Sequence, residues 1–150
     1  FTACIDELAT RDEFKLIAVI RDPLACVLSW RSLSISISQG RQPGGERFSR
    51  ELKRIRKIDD VLTRQIKILD WYYASFERQR HRIQLIRYEE FVSNPELIRD
   101  FIPVAEDYAF PEYRSMNKRK EYNFEEMGKI TRAIELHAPA VQRFYESIPA

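Results

Sequence analysis

The chain has 150 residues, of which 44% are hydrophobic and 32% are charged, values typical of a single globular domain. Its 25 Lys and Arg residues nearly balance its 23 Asp and Glu residues, and the net charge is +2. This balance excludes the strongly basic composition of many nucleic-acid-binding domains. No apolar run approaches the roughly 20 residues that span a bilayer. We therefore expect local electrostatic recognition, no nucleic acid partner and no membrane span.

The start of the chain and its cysteines bear on its origin. The chain begins with Phe1 rather than Met, so we expect a processed product, an excised domain or part of a longer protein. Cys4 and Cys26 form no CxxC motif and no Cys/His cluster, which argues against a disulfide framework and a structural zinc site. No metal is expected, and a soluble chain in a reducing, cytoplasmic compartment is favoured.

The first strong structural signal is the apolar, β-branched run Leu16–Ile20, which predicts a strand buried on both faces of a parallel sheet. It ends at Arg21-Asp22-Pro23. Asp22 can cap a helix in which Pro23 occupies a position that needs no N–H donor, so a helix is predicted to begin there. The segment Ser32–Ser38 alternates with a period of two, which is typical of a strand and conflicts with simple continuation of the helix. Its conformation stays open at this point.

A second strand is predicted at Ile83–Ile86, which ends at Arg87. The chain between the two strands contains an amphipathic helical pattern from Leu52 to Phe76, with Asp59-Asp60 as a candidate break. A helical connection of this length indicates a βαβ crossover between parallel strands. Arg21 and Arg87 are then both expected at the carboxyl ends of strands.

Two further helical segments are predicted towards the C-terminus. Asn94-Pro95 is typical of a capped helix start, and this helix is expected to end at Pro103. A final amphipathic stretch begins at Phe124, and Pro139 is expected to kink or restart it. The predicted fold class is α/β, with a parallel sheet and flanking helices.

The junction between the first strand and its helix is the strongest candidate for a binding site. Ligands collect at the carboxyl ends of parallel strands, and helix N-termini attract anions. Ser29 lies seven residues after Asp22, almost directly above it and about 10 Å along the helix. An anion on that side could contact both the Arg21 guanidinium and the Ser29 hydroxyl. Spacing alone leaves open the alternative that Arg21 pairs with a carboxylate and Ser29 bonds to its own helix backbone.

These residues resemble a known nucleotide-binding segment. Arg21-Asp22-Pro23 with Ser29, after an apolar strand, is similar to the R-D/N-P turn and following Ser that hold the 3′-phosphate in PAPS-dependent sulfotransferases. The segment from Arg87-Tyr88-Glu89-Glu90 to Pro95 resembles the family's R-Y-E-D-L-x-x-x-P motif. The resemblance covers residues from about 14 to 103.

The resemblance implies a P-loop-like fold that binds PAPS as donor and releases PAP as product. Arg21 and Ser29 would bind the 3′-phosphate, and Tyr88 would lie near the adenine, although a half-buried aromatic residue at a strand end is the simpler interpretation of Tyr88. For Glu89 we expect a structural hydrogen bond. Arg119 and Lys120 partly match the family's R-K-G loop, with Glu121 in place of the glycine, which would add them to the nucleotide site. The alternative is that Lys118, Arg119 and Lys120 form a solvated basic turn.

The family's 5′-phosphosulfate loop and its catalytic base precede the R-D-P strand, and nothing before Leu16 resembles them. The resemblance therefore implies that residues 1–150 are the C-terminal part of one sulfotransferase-like domain, whose acceptor is an unknown hydroxyl or amine and whose catalytic residues are unknown. By themselves these residues are expected to bind nucleotide weakly and transfer nothing. The alternatives are a non-catalytic nucleotide-binding remnant or interaction module of the same fold, and a P-loop kinase or other nucleotide enzyme.

The segment from Arg41 to Lys57 is locally basic, with seven basic and two acidic residues. Such a run is usually a solvated helix face. If it is functional, it is expected to attract a sulfated or acidic acceptor, and less readily nucleic acid, because it lacks the interleaved aromatic residues of a stacking platform.

Overall fold

The computed structural model describes residues 2–115 and 123–146 of the chain. In that part, two strands, β1 (Leu16–Ile20) and β2 (Ile83–Arg87), are combined with α-helices and short 3₁₀ helices. The α-helices are α1 (Ile5–Leu8), α2 (Pro23–Arg31), α3 (Pro43–Glu46), α4 (Arg50–Ile55), α5 (Val61–Arg78), α6 (Tyr88–Ser93), α7 (Phe124–His137) and α8 (Pro139–Glu146). The 3₁₀ helices are Thr2–Cys4, Ser36–Gln39 and Pro95–Asp100.

The two strands form a parallel pair with no offset between their ends. Leu16 lies opposite Ile83 at one end of the pair, and Ile20 lies opposite Arg87 at the other. The predicted crossover connection and the α/β class are thus confirmed, and β2 extends one residue further than predicted. Because both strands stop at the same level, the residues that follow them emerge at one edge of the sheet.

One face of β1 is more open than the sequence predicts. Ala18 and Ile20 are buried, but Val19 is 57% exposed. Successive side chains of a strand point to opposite faces, so Ala18 and Ile20 face the core while Val19 faces the other side. The prediction that β1 is buried on both faces is wrong for Val19, because Val19 borders an open cleft, whereas Ile17 on the same face is partly buried.

The start of α2 follows the sequence prediction. The Asp22 carboxylate accepts a hydrogen bond from the Ala25 N–H at 2.8 Å, and Pro23 occupies the first helical position. The helix buries Val27 and Leu28 completely or almost completely. The alternating segment that follows is not a strand, because Ser36–Gln39 forms a 3₁₀ helix.

Gly40 ends that 3₁₀ helix in a left-handed conformation, with φ of 62°. A Cβ atom at this position would lie 2.5 Å from the Cβ of Arg64. Glycine is therefore required here by its backbone conformation and by the close approach of α5.

The predicted amphipathic helix is divided into α4 and α5, which confirms the break near Asp59-Asp60. The Asp60 carboxylate starts α5 by accepting the Thr63 N–H at 2.7 Å. The apolar face of α5 lies at the centre of the main core, which also includes the buried faces of α2, β1, β2, α7 and α8. Its largest contributions from α5 and α8 are Ile66, Leu69, Tyr73, Phe76, Val141 and Phe144.

The C-terminal helices separate at Ala138, as the position of Pro139 predicts. The side chain of Asp70, on α5, accepts hydrogen bonds from the N–H groups of Ala140 and Val141 at 2.7 and 3.1 Å. This contact caps α8 and attaches it to α5.

None of the described helices has both the length and the hydrophobicity that a bilayer-spanning segment needs.

The region after β2 differs from the prediction. Residues Tyr88–Ser93 form α6, which the sequence analysis did not anticipate, and Pro95–Asp100 is a 3₁₀ helix rather than an α-helix. Asn94 makes no side-chain cap bond, so the predicted capping role is wrong. Asn94 also ends α6, where its N–H donates to the Glu90 carbonyl at 2.8 Å.

An ion pair between the partly exposed Arg41 and the buried Glu46 holds the turn that contains α3. Arg41 donates to both carboxylate oxygens of Glu46, at 2.8 and 2.7 Å, and the Gln42 N–H donates to the same group at 3.0 Å. Glu46 is only 7% exposed. The hydrogen bonds from Arg41 hold the pKa of Glu46 below its usual range, so the native state favours the ionised carboxylate.

We predict that Glu46→Gln lowers the free energy of unfolding by about 1 kcal/mol at pH 7, because charge-assisted bonds are lost at a partly solvated pair. A carboxyl group with a lowered native pKa stabilises the fold above its unfolded pKa and loses this effect as the pH falls through its native pKa. The difference between wild type and variant should therefore shrink below about pH 4. Urea unfolding across pH checks this.

Glu13→Gln is the matched control, because Glu13 pairs with Arg11 at 3.8 Å on the exposed surface. Its effect should be close to zero. An effect of Glu46→Gln that stays constant between pH 7 and pH 3 would contradict the role of the ionised pair.

Candidate functional site

The two predicted motifs meet in space at the carboxyl ends of β1 and β2. Arg21 directly follows β1, and Tyr88 directly follows β2. The guanidinium carbon of Arg21 lies 5.0 Å from the centroid of the Tyr88 ring, which is within the range of a cation–π interaction. Residues 67 positions apart in the chain thus form one cluster, which we call the strand-end site: Arg21, Asp22, Tyr88 and Glu89.

A hydrogen bond joins the two halves of the strand-end site. Glu89 accepts the backbone N–H of Asp22 at 3.1 Å. This N–H belongs to the residue that caps α2, so Glu89 orients the turn between β1 and α2. The expectation that Glu89 makes a structural hydrogen bond is confirmed.

Tyr73, on α5, forms a hydrogen bond with the backbone of Arg21. Its hydroxyl donates to the Arg21 carbonyl at 3.0 Å, and the residue is 3% exposed. Burial raises the pKa of Tyr73, so the hydroxyl keeps its proton and remains a donor. The sequence analysis missed this residue because Tyr73 belongs to the apolar stripe of α5. The available signal was its hydroxyl, since a buried tyrosine generally needs a hydrogen-bond partner.

The charge at the start of α2 comes mainly from the Arg21 side chain. The Ala25 N–H is taken by the Asp22 carboxylate, and Pro23 has no N–H to offer. The helix terminus therefore presents few donors of its own. An anion would be attracted to the side of the turn that carries Arg21, rather than to the helix axis beside the Asp22 carboxylate.

Ser29 lies two turns along α2 and is half-buried. Its hydroxyl makes no hydrogen bond within the described part of the chain, although its carbonyl accepts the Ser32 hydroxyl at 2.8 Å. The Ser29 hydroxyl therefore does not bond to its own helix backbone, which was one alternative that its spacing left open.

Arg87, the arginine of the second motif, contacts the C-terminal helix. Arg87 is occupied by α8: its Nη2 donates to the Tyr145 carbonyl at 3.0 Å, and its guanidinium carbon lies 4.6 Å from the Tyr145 ring centroid. The arginine of the second motif thus attaches the C-terminal helix. Arg119 and Lys120 lie outside the described residues.

A cleft of about 560 Å³ opens beside β1 and includes Arg21 in its wall. This volume is within the range of small-ligand sites. Tyr88 does not line the cleft, whereas Arg21 borders the cleft and also contacts the Tyr88 ring. The side chains that form its wall include Val19, Arg21, Cys26, Trp30, Arg41 and Tyr72.

The wall of the cleft is mostly apolar and is held by side-chain contacts. Gln42 donates to the Tyr72 hydroxyl at 2.7 Å, and Trp30 packs edge-on against Tyr72 with ring centroids 6.5 Å apart. Burial raises the pKa of Cys26 to about 12. The Cys26 thiol is therefore protonated at neutral pH and serves as part of the wall rather than as a nucleophile.

Among residues 2–115 and 123–146, no group of three or more His, Cys, Asp or Glu side chains is arranged to hold a metal ion. Comparison with protein-family models, curated proteins and solved structures finds no match to the chain.

We predict that Glu89→Ala destabilises the protein by about 1–3 kcal/mol, because it leaves the Asp22 N–H without its acceptor. Glu89→Gln, which retains an amide oxygen at the same place, should cost clearly less. Urea unfolding of both variants measures the difference. Equal destabilisation by the two variants would show that the bond to Asp22 is not what Glu89 contributes.

Proposed function

We propose that this chain binds the 3′-phosphate and adenine side of PAPS in a sulfotransferase, which transfers a sulfuryl group to a hydroxyl or amine acceptor. The observation that carries the proposal is the meeting of Arg21 and Tyr88 at the carboxyl ends of two parallel strands. These residues come from the two segments that resemble the family, and they have the order and strand context that the resemblance requires.

The 3′-phosphate is assigned to Arg21 and Ser29. A guanidinium group presents paired N–H donors that match a phosphate, and it keeps its charge at all relevant pH values. The Asp22 carboxylate caps the first turn of α2, so the phosphate would lie along the flank of α2. The Arg21 guanidinium would reach it from the start of the helix, and the Ser29 hydroxyl from about two turns further along. Tyr73 and Glu89 act as positioning residues, because they form hydrogen bonds with the two polar groups of the Arg21–Asp22 peptide. Tyr73 bonds to the Arg21 carbonyl and Glu89 to the Asp22 N–H.

The adenine is assigned to the face of Tyr88. The Arg21 guanidinium covers this ring at 5.0 Å. When Arg21 turns to bind the phosphate, it uncovers the ring, and the base takes its place. On binding, the cation–π contact is lost, and an aromatic stack and a charge-assisted phosphate contact are gained. This exchange favours the bound state.

In the transfer itself, the bond between sulfur and the bridging oxygen of PAPS breaks, and a bond forms between sulfur and the acceptor oxygen or nitrogen. The acceptor proton passes to a base, and PAP leaves with the bridging oxygen. Such a reaction depends mainly on positioning and on neutralising charge at the bridging oxygen. The strand-end site supplies positioning of the nucleotide tail. The sheet is proposed to be P-loop-like, and neither the phosphosulfate loop nor the base is assigned to residues of this chain.

We predict that Arg21→Ala weakens binding of PAP about 10- to 100-fold, the effect of losing a charge-assisted contact to phosphate. Adenosine 5′-monophosphate lacks the 3′-phosphate, so its affinity should change much less. Calorimetric titration of both nucleotides into the protein that contains this chain measures the two effects.

Arg11→Ala is the matched control, because Arg11 precedes β1 and lies at the opposite end of the strand; PAP binding should be unchanged. Equal weakening of both nucleotides by Arg21→Ala, or no weakening of either, would overturn the assignment of the 3′-phosphate. Tighter binding of ATP than of PAP would instead favour a kinase. Arg21-dependent binding of PAP without turnover of PAPS by the complete protein would indicate the non-catalytic module.

A further inference from the structure

The C-terminal helix α8 is attached to the rest of the fold near both of its ends. At its start, the Asp70 carboxylate of α5 accepts the N–H groups of Ala140 and Val141. Near its end, Arg87 of β2 donates to the Tyr145 carbonyl at 3.0 Å. These polar contacts fix the position of α8 against α5 and against the carboxyl end of β2.

Arg87 also restricts the ring of Tyr145. Its guanidinium carbon lies 4.6 Å from the centroid of that ring, which is within the range of a cation–π interaction. The side chain of Arg87 is mostly buried, and its Nε lies 3.8 Å from a carboxylate oxygen of Glu90. Because a guanidinium group is planar and stacks on aromatic faces, Arg87 fixes where the Tyr145 ring lies.

Two aromatic rings of α8 pack against Tyr73 of α5. The rings of Phe144 and Tyr145 each lie edge-on to the Tyr73 ring, with centroids 6.3 Å apart in both pairs. Phe76, one turn further along α5, contacts the same ring at 6.0 Å. Since aromatic side chains prefer such edge-to-face contacts, the docked α8 takes part in setting the position of the Tyr73 ring.

The position of the Tyr73 ring determines the direction of its hydrogen bond. Its hydroxyl is rigidly attached to the ring and donates to the Arg21 carbonyl at 3.0 Å. That carbonyl belongs to the same peptide group as the Asp22 N–H, which donates to Glu89. A displacement of the Tyr73 ring would therefore allow this peptide to rotate, and the Arg21 side chain would move with it.

We propose that Tyr145 is a positioning residue for the strand-end site, because a continuous series of contacts leads from Tyr145 through Tyr73 to the Arg21–Asp22 peptide. Docking of α8 then sets how tightly Arg21 holds its ligand. This inference rests on the proposed function for the identity of that ligand, the 3′-phosphate of the nucleotide, and it extends the site to a helix that the resemblance does not cover.

A packing role alone for Tyr145 leads to a different expectation. Loss of packing lowers the stability of the fold and weakens binding of any nucleotide to a similar extent. A positioning role acts through Arg21, so it weakens binding of PAP more than binding of adenosine 5′-monophosphate, which lacks the 3′-phosphate. The ratio of the two affinities therefore separates the two roles.

The test measures this ratio by calorimetric titration of the protein that contains this chain. Tyr145→Ala should weaken PAP binding about 3- to 10-fold, the effect of losing one hydrogen bond, and should change binding of adenosine 5′-monophosphate less than about twofold. Tyr145→Phe retains the ring and the carbonyl that contact Tyr73 and Arg87, so its affinity ratio should remain that of the wild type. Met127→Ala is the matched control, because Met127 packs against the same core from α7; it should lower stability and leave the ratio unchanged.

Amide hydrogen exchange measures the same link without a nucleotide. The Asp22 amide should exchange faster in Tyr145→Ala than in Met127→Ala, because only the first variant loosens the bond from Tyr73 to that peptide group. Urea unfolding establishes that each variant is folded under the conditions of the measurement. If Tyr145→Ala is not folded, Tyr145→Leu replaces it, since leucine retains an apolar side chain without the ring.

If Arg21→Ala loses PAP affinity but Tyr145→Ala keeps the wild-type ratio, or if Met127→Ala changes the ratio equally, the role of Tyr145 is overturned. Equal exchange of the Asp22 amide in Tyr145→Ala and Met127→Ala would also overturn it. Failure of the nucleotide proposal gives a different result. Arg21→Ala then leaves PAP binding unchanged, while faster exchange of the Asp22 amide in Tyr145→Ala still supports the link from α8 to the strand-end site.

Discussion

The register between β1 and β2 is the constraint on which the rest of the structure depends. Ile20 lies opposite Arg87, so both strands end at the same level and the next residues, Arg21 and Tyr88, come into contact. A shift of one residue would turn every side chain of a strand to the opposite face and would bring Val19 rather than Ala18 into the core. Burial of one strand face therefore selects the register, and the register creates the strand-end site.

Burial and polar contacts have separate roles around this site. The apolar face of α5, with α2 and α8 against it, supplies most of the buried surface and fixes where the strands lie. Single hydrogen bonds contribute only about 1 kcal/mol each, so those of Tyr73 and Glu89 cannot determine the fold. They determine orientation: one binds the carbonyl of Arg21 and the other the N–H of Asp22, which leaves the turn between β1 and α2 little freedom to rotate.

Features with local signals could be predicted from the sequence. The Asp22 cap, both strands and the breaks at Asp60 and Pro139 depend on residues within a few positions of each other. α6 was missed because Arg87, which precedes it, supplies no side-chain cap. The role of Tyr73 depends on a contact between residues 52 positions apart, and the open face around Val19 depends on which elements cover β1. The contact between Arg21 and Tyr88 was predictable only because the carboxyl ends of parallel strands lie at the same edge of a sheet.

We propose that the strand-end site receives the phosphate-bearing tail of a nucleotide, and an NMR titration of the isotope-labelled protein with PAP tests this proposal. The largest amide shifts are expected at Arg21, Asp22, Ser29 and Tyr88, and residues at the amino ends of β1 and β2 should stay unperturbed. Shifts confined to other parts of the chain, or no shifts at PAP concentrations that saturate other nucleotide sites, would contradict the proposal.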